Sequence, residues 1–189
     1  MPKRGRPRNP ITQKSILTAS YELLLEKGFD DVTVEKIAER AGVSKVTIYK
    51  WWPNKAAVVM DGFFSAAKDR LPIPETGTVL EDLLIHATNL SRFMTSPEGK
   101  IIAALIGQGQ LDSAIIEAFR THYIHPRRAE AMLLLNRGVQ RGELKGNLDL
   151  ALGVDLLYGP LFYRMLVTGE SLNDHHVKQI IVTVFNGLK

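Results

Sequence analysis

Apolar residues recur at helical spacing along most of this chain. Ile16, Ala19, Leu23 and Leu24 share one face of a first segment, and Val154, Leu157, Leu161 and Met165 stripe a long segment near the end. No stretch alternates apolar and polar residues between turn signals, as a half-buried strand would. The β-branched run at 181–184 has helical flanks. The pattern predicts an all-α fold.

Capping residues divide the pattern into about nine helices. Asn9-Pro10 opens the first, which Gly28 ends. Thr33 caps a short second helix to Arg40, broken by Ala41-Gly42. Ser44 caps a third that Pro53 stops, and Asn54 caps a fourth reaching about residue 70. Residues 71–77 read as a linker. Further helices are expected at 78–95, from Ser96-Pro97 to Gly109, and from Asp112 to Gly142 with a kink at Pro126. Two more run from Asp149 to Thr168 and from Asn173 or Asp174 to the end.

Charge changes this picture. The chain has 189 residues and a formal net charge of +4, unevenly placed. Residues 1–55 hold eleven Lys/Arg against six Asp/Glu; the rest hold thirteen against fourteen. An anionic partner for the first third follows, with nucleic acid ahead of a membrane surface. The cations form no amphipathic stripe, which argues against the membrane. With 45% apolar residues and no cysteine, the chain can form a core without disulfides or thiol chemistry. No apolar run approaches roughly 18 residues and no leader pattern opens the chain, so a cytoplasmic protein is expected.

The second and third helices have helix-turn-helix spacing. In VEKIAERAGVSKVTIYKW, Ile37 and Ala38 face inward, Gly42 supplies a positive-φ corner, and Val43 plugs the turn. Ile48, Trp51 and Trp52 turn back to the core. Lys45, Val46, Thr47, Tyr49 and Lys50 occupy the start and outer face of the third helix, where a major groove would meet them. Lys45 and Thr47 suit base edges, Val46 a thymine methyl, and Tyr49 and Lys50 phosphates. Thr33 completes the candidate set. Lys55 sits in the first turn of a helix, where the dipole disfavours a cation. A phosphate bound there would remove the conflict; a solvated lysine is the plainer alternative. Arg4 and Arg6, in the basic arm MPKRGRPR, suit an A·T-rich minor groove, or only solubilise the chain.

The stretch GFDDVTVEKIAERAGVSKVTIYKWWPNKAAVV, residues 28–59, resembles the DNA-binding signature of the TetR family of bacterial transcriptional regulators. Val46 and Trp51-Trp52 depart from the small residue and Tyr-Phe pair common there. Residues 120–172 resemble one branch of the family's C-terminal domain. By composition residues 1–8 read as a flexible basic arm; the resemblance implies a DNA-binding domain at 9–55 and an effector-binding and dimerisation domain at 56–189. It also implies a homodimer on double-stranded DNA that represses until a small molecule releases it.

The second domain supplies candidates for both remaining roles. Two-fold dimers read half-sites about 34 Å apart, so a dimer face is expected. Leu157, Leu161 and Arg164 on one helix and Val177, Ile181, Val184 and Phe185 on the last are its candidates, although the same stripes could cover their own core. For an effector pocket the candidates are His86, Leu90, Phe93, Leu105, Gln108, Phe119 and Tyr123: apolar walls with polar tips. Satisfied core residues would look the same. Few acids lie on these faces, so an apolar or aromatic effector is expected. The five histidines show no zinc-ligand spacing, and no P-loop, nucleophile elbow or dinucleotide fingerprint occurs. No metal, cofactor or catalysis is expected. An architectural DNA-binding protein without effector is the competing function, disfavoured by the large, nearly neutral second domain.

Overall fold

The structure, a computed structural model, describes residues 9–67 and 71–189. Among these there are helices and no strands. The first four are α1 (Pro10–Asp31), α2 (Val34–Ala41), α3 (Lys45–Tyr49) and α4 (Lys55–Ala67). Then come α5 (Val79–Met94), α6 (Pro97–Gly109), α7 (Ser113–Phe119), α8 (His125–Gln140), α9 (Leu150–Tyr163) and α10 (Asp174–Leu188). A π-helical turn, Arg120–Ile124, fuses α7 and α8 into one bent rod, so the described helices make nine rods.

The helix starts follow the capping residues. Asn9, Thr33, Ser44, Thr78, Ser96, Asp112, Asp149 and Asn173 each accept a backbone N–H of the first turn of their helix. Asn54 does the same for α4, its Oδ1 accepting from Ala57 N at 2.9 Å. At Gly28 the backbone leaves helical geometry (φ 74°), and one more turn runs to Asp31. Gly42 ends α2 in the left-handed region (φ 67°), where a side chain would strain the corner.

Two prolines shape the second half. Pro126 has no N–H to continue the ladder from α7, and the expected kink takes the form of the π-helical turn just before it. Pro160 lies inside α9, and a second π-helical turn, Arg164–Thr168, follows.

The helix α4 joins the halves. It lies along α1 and also touches α7 and the first π-helical turn. Gly62 permits this approach: a Cβ there would stand 2.1 Å from Ser20 Oγ and 2.7 Å from Leu17 O. The Ser20 hydroxyl sits 2.9 Å from Leu17 O and 3.2 Å from Val58 O, which satisfies it between the two helices. In the second half α5 packs on α10 and α8 on α9.

The segment Leu150–Thr168 is long and apolar enough to cross a membrane, by length and composition alone. Its apolar residues form no unbroken run of that length. Asp155 and Arg164 interrupt it, each in an ion pair.

Candidate DNA interface and ligand cavity

The short helix α3 is anchored from behind. Ile48 is fully buried, and Trp52, just past the helix, is buried with its indole Nε1 donating to Asp61 Oδ2 at 2.6 Å. Trp51 is half-buried and meets the Trp52 ring edge-on. The opposite face is bare: Val46 is 63% exposed and Tyr49 53% exposed. An apolar side chain and a phenol left in water on a helix held this firmly suit base-edge and phosphate contact.

The polar residues of this face are engaged in different ways. Lys45 Nζ pairs with Glu35 Oε1 at 2.9 Å, and that contact holds the Glu35 carboxyl below its ordinary value. Thr47 Oγ1 lies 3.0 Å from Ser44 Oγ, within the cap of its own helix. Lys50 is exposed at the end of α3. Thr33 Oγ1 accepts from Lys36 N at 3.2 Å, a capping role that leaves it half-buried. Arg4 and Arg6 lie outside the described residues.

Lys55 differs from expectation. Its ammonium donates to Phe29 O at 2.9 Å and Asp30 O at 3.3 Å, and rests 4.3 Å from the Phe29 ring centroid. The carbonyls at the end of α1 relieve the dipole conflict that a phosphate was expected to relieve. Sequence reasoning missed this because Phe29 and Lys55 are 26 residues apart.

A second site lies between α5, α8 and α9, in a cavity of about 200 Å³. Its walls are largely apolar, with Leu71, Leu90, Ile124, Ala131, Val154 and Phe162 among them. The polar lining is His86, Tyr123, Tyr158, Arg127, Arg128 and Asp155. Of the expected pocket residues, His86, Leu90 and Tyr123 line this cavity. The other four do not. Leu105 is fully buried core, Phe93 packs on Phe63, and Phe119 packs beside Phe64. Gln108 Nε2 instead donates to Asp30 Oδ2 at 2.9 Å, tying α6 to the end of α1. Tyr158 and Phe162 were missed: they share the α9 stripe with Val154, and periodicity does not say what a stripe faces.

Burial sets the electrostatics of the cavity. The His86 imidazole is pushed down to about 4, first by burial and then by the Arg127 charge, so it is neutral near pH 7. Its Nδ1 lies 2.7 Å from Tyr158 Oη. Burial raises the Tyr158 hydroxyl well above its ordinary value and pushes Tyr123 up to about 12. Arg127 pairs with Glu130 at 2.8 Å, and Arg128 pairs with Asp155. Among the described residues no cluster of three or more His, Asp or Glu could hold a metal.

The cavity touches α4 by two routes. The Tyr123 ring stacks on Phe64 at 4.0 Å between centroids. Next to it, His122 Nδ1 pairs with Asp61 Oδ1, and the other oxygen of Asp61 accepts from Trp52.

Most of the expected dimer residues turn into the protomer's own core. Leu157, Leu161, Val177 and Ile181 are fully buried within the protomer, and Phe185 nearly so. Val184 is half-buried, and Arg164 is occupied by Glu170 and Ser171 O. The outer face of α9 and its extension is instead apolar and open. Leu152 is 54% exposed and Tyr163 58%, with Leu156, Leu166 and Val167 between and beyond them. Along α10, His176, Ile180 and Val184 are half-buried at four-residue spacing.

Residues 16–60 match the family model for bacterial regulatory proteins of the tetR family. Residues 73–184 match a tetracyclin repressor-like C-terminal domain. The chain is 58% identical over 187 residues to the HTH-type transcriptional regulator YdeS of Bacillus subtilis, covering 99% of this chain and 94% of that one. The crystal structure of the TetR family transcription regulator SCO0332 superposes with a TM-score of 0.84 at 36% identity, covering 94% and 98% of the two chains. A more distant neighbour, FadR from Bacillus subtilis in complex with stearoyl-CoA, has a TM-score of 0.64 at 20% identity, over 93% and 98%.

Proposed function

Because this chain belongs to the TetR family of bacterial transcriptional regulators, we propose that it is a homodimeric repressor released from a palindromic operator by a small molecule. Residues 9–55 form the reading head and residues 56–189 the effector and dimerisation domain. The observation that carries this reading is the bare outer face of α3, with Val46 and Tyr49 in water and Ile48 buried behind them. Lys45, Val46 and Thr47 read base edges. Tyr49 and Lys50 hold phosphates, and Arg4 and Arg6 reach the neighbouring minor groove.

The dimer forms through the outer faces of α9 and α10. An apolar strip of that length is costly to leave in water, and pairing with a second copy covers it. Two reading heads are then fixed relative to each other, so only one half-site spacing fits.

The ligand enters the cavity between α5, α8 and α9. FadR, a protein of the same fold, is solved in complex with stearoyl-CoA, which supports ligand binding by this fold. Occupancy presses on Tyr123, and the π-helical turn passes the shift to α4 through Phe64 and through His122, Asp61 and Trp52. Release requires only that the ligand favour the arrangement that DNA disfavours.

The test is binding to the DNA upstream of the protein's own gene, by fluorescence anisotropy with excess random DNA and a salt series. Tight binding that survives the competitor, at two protomers per site, is expected. Binding that vanishes with competitor, at every promoter fragment tried, leaves only the sequence-independent electrostatic contribution and overturns the repressor reading.

A further inference from the structure

Two residues that line the cavity carry buried polar atoms that the protein does not use. His86 Nε2 and Tyr123 Oη have no hydrogen-bond partner among the described residues. Both side chains are at least nine-tenths buried, at 5% and 2% exposure, and both line the cavity. Buried polar groups are nearly always paired, so two orphans among the lining residues point to an occupant.

The partner of His86 decides which kind of atom that occupant presents. The Tyr158 hydroxyl is buried and protonated, and its hydrogen needs an acceptor. His86 Nδ1, at 2.7 Å, is the acceptor it has among the described residues. A neutral imidazole that accepts at Nδ1 carries its own hydrogen on Nε2. The cavity therefore offers an N–H donor from His86 and a hydroxyl from Tyr123.

Charge and size narrow the ligand further. Both arginines on the wall are matched by carboxylates, Arg127 by Glu130 and Arg128 by Asp155. An anionic ligand would therefore meet no unmatched positive charge in the lining. A dry cavity of roughly 150 Å³ accommodates benzene, and this one measures about 200 Å³. That is room for one ring with a short substituent.

We propose that this cavity takes an uncharged single-ring molecule bearing a carbonyl-type acceptor, held by His86 Nε2–H and the Tyr123 hydroxyl inside apolar walls. The assignment rests on the reading of this cavity as the effector site.

Three probes of nearly one shape separate the possibilities: acetophenone, ethylbenzene and benzoate. Each is titrated calorimetrically into the full-length protein. Acetophenone is expected to bind about tenfold more tightly than either of the others, the contribution of one or two buried hydrogen bonds. Tyr123→Phe keeps the ring stacked on Phe64 and removes only an unpaired hydroxyl, so the variant should fold. It is expected to bring acetophenone close to ethylbenzene while leaving ethylbenzene unchanged. His86→Phe provides the second variant, with the same expected loss of the ketone's advantage. Equal binding of ketone and hydrocarbon, tightest binding by benzoate, or no binding by any probe would overturn the proposal. DNA affinity is measured separately with and without probe. If acetophenone binds as described and DNA affinity does not change, the ligand class stands and the release reading fails. If benzoate binds best and releases DNA, the reverse holds.

Discussion

The Trp52 indole donates to Asp61 Oδ2 at 2.6 Å, and the other oxygen of that carboxylate meets His122. One side chain on α4 thus holds the end of the reading helix and the wall of the cavity together. Asp61→Asn keeps the shape but loses the charge that strengthens both contacts. Stability is expected to fall by about 1–2 kcal/mol in urea unfolding. Operator affinity should fall with it, because the weakened indole contact fixes the tilt of α3 less firmly. Unchanged values in both assays would remove Asp61 from the link.

Glu35 pairs with Lys45 on the exposed face of the free protein. Exposed pairs of this kind contribute little to stability. Glu35→Gln should therefore leave the melting temperature almost unchanged. It frees a cation and removes an anion at the DNA face, so operator affinity at low salt is expected to rise about threefold. Anisotropy titrations over a salt series would show it, with the gain shrinking as salt rises.

Gly62 has no space for a methyl group against Ser20 and Leu17. Gly62→Ala is expected to push α4 off α1 and to cost about 1–3 kcal/mol, as overpacked sites do. The same change on an open helix surface would stabilise. A stabilised variant in chemical denaturation would show that the two helices are not held this closely.

Stability should fall in mild acid because of His86. Its folded-state value is about 4, below the ordinary 6.5. The unfolded chain therefore binds the proton more readily between those values. The contribution is complete above pH 6.5, falls progressively as pH drops, and is gone near pH 4. By pH 5 the loss is on the order of 2 kcal/mol. Unfolding curves at several pH values should show this slope, and His86→Phe should flatten it.

The two faces of α9 make opposite predictions. Leu156→Glu places a charge on the open face, so sedimentation is expected to show monomers with unchanged helix content. Leu157→Ala leaves a hole in the core and should cost about 2–5 kcal/mol while the dimer persists. The reverse pattern would return the interface to the buried stripe.

The order of helices was legible in the sequence because its signals are local. A cap such as Thr33 or Asn173 acts on an N–H three residues away, and Gly42 acts on its own φ. The helix-turn-helix was legible for the same reason: Ile37, Ala38, Gly42 and Ile48 meet within a dozen residues. Periodicity also showed that Val154, Leu157 and Leu161 share a stripe. It could not show whether that stripe meets another helix of the same protomer or a second copy, since both bury apolar surface alike. Only the packing of α8 and α10 around α9 decided that the stripe is core and that the opposite face, with Leu156 and Tyr163, is open. Long-range partners were equally out of reach. Lys55 finds the carbonyls of Phe29 and Asp30, and His86 finds Tyr158 across 72 residues. These meetings depend on where whole helices cross, and no spacing along the chain encodes that.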